Sequence, residues 1–115
     1  MNNLLTGKCK EAFKNWAIKQ NYLEISLGVL SLRNGMILTS FYQLPFSMQY
    51  GVYVDFFDEQ GIGVDIEAIT SKLYNFSVHH WKIEHFTSNQ IYRTRPEARK
   101  QAIIKANLIF IENHG

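Results

Sequence analysis

At 115 residues the chain has the size of one domain, and a chain that long buries roughly two-thirds of its unfolded surface, so a core without covalent staples is expected. The lone cysteine, Cys9, excludes an internal disulfide and points to a reducing, cytoplasmic setting; no stretch approaches the ~18 apolar residues of a membrane span. Net charge is only +2 but is unevenly spread, reading basic over 8–19, acidic over 50–68 (Asp55, Asp58, Glu59, Asp65, Glu67) and basic again over 93–112.

Lys8, Lys10, Glu11 and Lys14 break any apolar leader, so no signal peptide is expected. The first predicted element is a helix over about 7–20. Cys9, Ala12, Phe13, Trp16 and Ala17 fall on one apolar stripe, Lys8, Lys10, Lys14 and Lys19 lie off it, and Thr6 is placed to cap the start. In that stripe Cys9 reads as a small apolar residue rather than a reactive thiol.

Residues 22–43 fit two patterns. Leu23, Ile25, Leu27 and Val29 alternate with Glu24, Ser26 and Gly28 as in a strand, and Asn34-Gly35 suits a two-residue hairpin turn. Leu23, Leu27 and Leu30 also fit a helix that ends at Asn34-Gly35; the hairpin is favoured. Residues 45–60 conflict in the same way. Pro45 at a first helical position and Gly61 as a left-handed cap argue helix, while Tyr50-Gly51-Val52-Tyr53-Val54 is rich in strand formers. Helix is preferred.

Ile62, Val64 and Ile66 alternate with Gly63, Asp65 and Glu67, which predicts a strand with one wet face. A second strand is expected over about 74–85, with Phe76, Val78 and His80 on one face, and a third over 90–93. Thr94-Arg95-Pro96-Glu97 is a capping box that opens a last helix, whose stripe of Ala98, Ala102, Ile103, Ala106, Ile109 and Phe110 implies close packing on a sheet. The fold class is therefore α+β: an N-terminal helix, a middle hairpin/helix segment, and a three-stranded antiparallel sheet with a C-terminal helix packed on one face.

No side-chain set completes a known chemistry, so no catalytic residue, metal or cofactor is expected. On one strand His79 and His80 point to opposite faces, and His79 and His85 stand about 20 Å apart at 3.3 Å per residue. No HExxH or cysteine pair accompanies them. Asp55 and Asp58 share a helix face but have no third group at a defined spacing. Gly61-Ile62-Gly63 precedes a strand rather than opening a helix, so it makes no phosphate cradle. Two surfaces remain as binding candidates. Aromatic content of 14% exceeds what a minimal core needs, which leaves Tyr42, Phe46, Tyr50 and Tyr53 as a surface for a protein partner or a second copy of the chain. Arg93, Arg95, Arg99, Lys100 and Lys105 could meet nucleic-acid phosphates.

The stretch Phe41-Tyr42-Gln43-Leu44-Pro45-Phe46-Ser47-Met48-Gln49-Tyr50-Gly51-Val52-Tyr53-Val54-Asp55-Phe56-Phe57-Asp58, continuing to Gly61-Ile62, and the stretch Thr94-Arg95-Pro96-Glu97-Ala98-Arg99-Lys100-Gln101-Ala102-Ile103-Ile104-Lys105-Ala106 resemble a group of small uncharacterised proteins encoded by bacterial phages and prophages. Glu59 stands where that group commonly has Ser. The resemblance implies a phage or mobile-element origin and assigns no activity. A looser resemblance is to double-stranded-RNA-binding domains, ordered helix, three strands, helix; Arg99, Lys100, Ala102 and Ala106 match the spacing of their last helix, and Thr94-Arg95-Pro96 stands where they carry a Gly-rich turn and a Lys cluster. The expected function is a non-enzymatic accessory module that binds a host or phage protein, with nucleic-acid binding as the alternative.

Overall fold

The structure, a computed structural model, describes residues 4–20, 44–80, 83–87 and 90–114. The hairpin expected over 22–43, and Tyr42 with it, lie outside the described residues. Three helices and three strands follow in chain order: α1 (Gly7–Gln20), α2 (Phe46–Glu59), β1 (Ile62–Thr70), β2 (Leu73–His80), β3 (Ile83–Thr87) and α3 (Arg95–His114). The strands form an antiparallel sheet of order β1-β2-β3. The α+β class and the C-terminal helix on the sheet match the sequence reading.

The ambiguous segment is helical because its ends and its stripe agree. Pro45 precedes the first helical residue as N-cap and its carbonyl accepts from the amides of Met48 and Gln49, at 3.0 and 3.2 Å. Gln49, Val52, Tyr53, Phe56 and Phe57 recur at helical spacing and are all buried. At the other end Gly61 takes φ 80°, which costs a residue without Cβ nothing, and its amide donates to the Asp58 carbonyl at 3.0 Å. The strand-forming residues at the centre of α2 lose to burial.

The sheet differs from expectation in one respect. The single strand expected over 74–85 is two: β2 ends at His80 and β3 begins at Ile83, with His80 paired to Ile83. The strand expected over 90–93 is reduced to one bridge, in which Tyr92 and Tyr74 exchange backbone hydrogen bonds of 2.9 and 2.7 Å. The face assignment holds: Ile62, Val64, Phe76, Val78 and His80 are buried, while Asp65, Glu67 and His79 are exposed.

Helix α3 packs on β1 and β2, α2 packs beside it along β1, and α1 docks on α2 and α3. Ala98, Ala102 and Ala106 are fully buried, which lets α3 approach the sheet closely. The start of α3 shows one half of the expected capping box, the Glu97 amide donating to Thr94 Oγ1 at 3.2 Å. The Thr6 side chain, expected to cap α1, is bound to α3 instead. The Thr6 carbonyl accepts from Lys10, its amide donates to Asn107 Oδ1 at 3.0 Å, and its hydroxyl accepts from Asn107 Nδ2 at 3.1 Å. Asn107, a buried amide in α3, thus ties the start of α1 to the last helix.

Two stability changes follow. Asn107→Ala removes both hydrogen bonds to Thr6 and is expected to cost about 1–3 kcal/mol. Gly51 is an exposed position of α2, and a Cβ built there meets nothing within 4 Å. Gly51→Ala is therefore expected to add up to about 1 kcal/mol by raising helix propensity. Urea unfolding midpoints of the two variants check both signs.

Candidate functional site

The two surfaces proposed from sequence meet where α2, α3 and the β1–β2 end of the sheet converge. In α2, Phe46, Tyr50 and Val54 are half-buried and flank the buried stripe on one side. The rings of Phe46 and Tyr50 lie 6.1 Å apart. From α3 the Arg99 guanidinium sits over the Tyr50 ring, 5.1 Å from its centroid. One turn earlier, Arg95 sits over Tyr74 of β2 at 5.0 Å. Tyr74 is paired on one side with Ala68 and on the other with Tyr92. The sequence neighbours of those two residues, Ile69 and Ile91, are 45% and 56% exposed. The result is a surface of two arginines on tyrosines, with Phe46 beside Tyr50.

Both candidate lists need correction. Tyr53 is fully buried, its ring 5.1 Å from that of Phe13, so it belongs to the core and not to a partner surface. The basic residues do not form one patch. Arg95 and Arg99, four apart, share a face that meets tyrosines; Lys100 is exposed about 100° around the helix from Arg99. Lys105 lies about 15 Å farther along α3 than Arg95, over the Phe86 ring of β3 at 4.3 Å. Arg93 is exposed ahead of the helix. The i, i+4 spacing of Arg95 and Arg99 could have separated this pair from Lys100 and Lys105 in the sequence.

Electrostatics bear on the same surface. The Tyr50 phenol is pushed up to about 12, chiefly by burial; Arg99 opposes the shift and Asp65 of β1 adds to it. The buried Cys9 thiol is likewise pushed up to about 12 by burial, which keeps it in the unreactive thiol form at neutral pH. His80 is buried and His79 exposed, so the two histidines stand on opposite faces. Asp55 is half-buried and Asp58 exposed, both on α2. Among the described residues no three His, Cys, Asp or Glu side chains gather as a metal site would need, and no helix is long and apolar enough to cross a membrane.

No protein-family model matches the chain, and no curated protein or solved structure matches it either.

Tyr50 gives the surface a pH signature. Its phenol holds a proton more tightly when folded than the pKa near 10 of an unfolded tyrosine. The stability this contributes is complete below about pH 10 and is lost as pH rises toward about 12. Tyr50→Phe is expected to flatten that alkaline loss, seen as a shallower fall of the urea midpoint above about pH 10. An identical slope in both proteins would refute the assignment.

Proposed function

We propose that the chain is a non-enzymatic protein-binding module whose contact surface is the junction of α2, α3 and the β1–β2 end of the sheet. The observation that carries this reading is the stacking of Arg99 on Tyr50 and Arg95 on Tyr74, with Phe46 beside Tyr50. Tyr and Arg are the residues most often found carrying binding energy at protein interfaces, and aromatics and Arg are enriched there while Lys and Glu are depleted. The resemblance to small phage and prophage proteins supports an accessory role in a mobile element, with a host or phage protein as the partner, in the cytoplasm.

A second reading, nucleic-acid binding, is favoured by one observation. The order α2, β1, β2, β3, α3 is helix, three strands, helix, as in double-stranded-RNA-binding domains, and Arg93, Arg95 and Lys100 are exposed near the start of the last helix. Against it, Lys100 and Lys105 point away from the Arg95–Arg99 face, so no continuous cationic track forms.

Phe46→Ala and Tyr50→Ala separate the readings, since both residues lie half-buried at this surface and outside the fully buried stripe of α2. A partner held by the wild-type chain in affinity capture from cells should be lost at least tenfold in both variants. Gel shifts with duplex RNA supply the opposite test. A shift at low salt that weakens steeply as salt rises, and persists in both variants, would replace the protein-binding reading with the second one.

A further inference from the structure

We draw no further inference here: the strongest candidate, the patch on the face of the sheet turned away from α3 where Ile69 and Ile91 are exposed, carries nothing because nothing among the described residues shows what covers it.

Discussion

The ring of Phe56 is the contact on which the helical part of the fold depends. It lies 5.4 Å from Phe13 and 5.6 Å from Trp16 of α1, 5.1 Å from Phe57 of its own helix and 6.0 Å from Phe110 of α3. Three of these contacts join different helices, and the Phe13 and Trp16 contacts are edge-on, an arrangement aromatic rings prefer over face-to-face stacking. Each pair adds ~0.5–1.5 kcal/mol beyond simple burial. Helix α1 depends on this junction more than any other element, because it docks on helices and not on the sheet. The Asn107–Thr6 pair then fixes where along α3 the start of α1 sits, which dispersion between rings alone would leave loosely specified.

That junction also explains where the aromatic residues go. Phe13, Trp16, Tyr53, Phe56, Phe57 and Phe110 fill the space between helices, while Phe76, Phe86 and Tyr92 form a second group under α3, with Phe76 about 6 Å from each of the other two. The high aromatic content that suggested a broad exposed surface is therefore largely a property of the core. Among the described residues Phe46, Tyr50 and Tyr74 remain at the rim, and two of the three carry an arginine. A smaller surface with ordered cations is a more selective one than an open aromatic face would be.

Much of the fold was legible in the sequence, and the failures share a cause. The first and last helices were readable from their stripes, and the start of α3 from Thr94 to Glu97, because those signals are local. Helix α2 was readable at its ends and obscured at its centre, where Val52, Tyr53 and Val54 prefer strands in isolation and are helical only because Phe56, Phe57 and Val52 must face α1 and α3 together. The break between β2 and β3 left no local mark, since Trp81-Lys82 has strand-compatible chemistry. Asn107 was passed over because one amide within an apolar stripe has no meaning until Thr6, a hundred residues earlier in sequence, is brought against it. The candidate site was half legible: its residues were named, but Tyr53 was given to the surface and five cations were joined that the helix turns to different sides.

Among the described residues the reactive groups lie apart from one another. Cys9 sits at 0% exposure with its thiol held protonated, so its place in α1 is that of a small apolar residue. Asp58 and Glu59 end α2, Asp65 and Glu67 stand on the outer face of β1, and His79 covers Gly63 on that same face. A Cβ at Gly63 would come within 2.5 Å of the His79 ring, so the imidazole serves as a lid on bare backbone across the strand pair. These groups are spread over exposed ground and given separate structural neighbours. Catalysis by acid–base or nucleophilic groups needs them gathered within hydrogen-bond reach of one reacting centre. Arg95 and Arg99, each set on a tyrosine ring, are by contrast ordered donors at one end of the sheet.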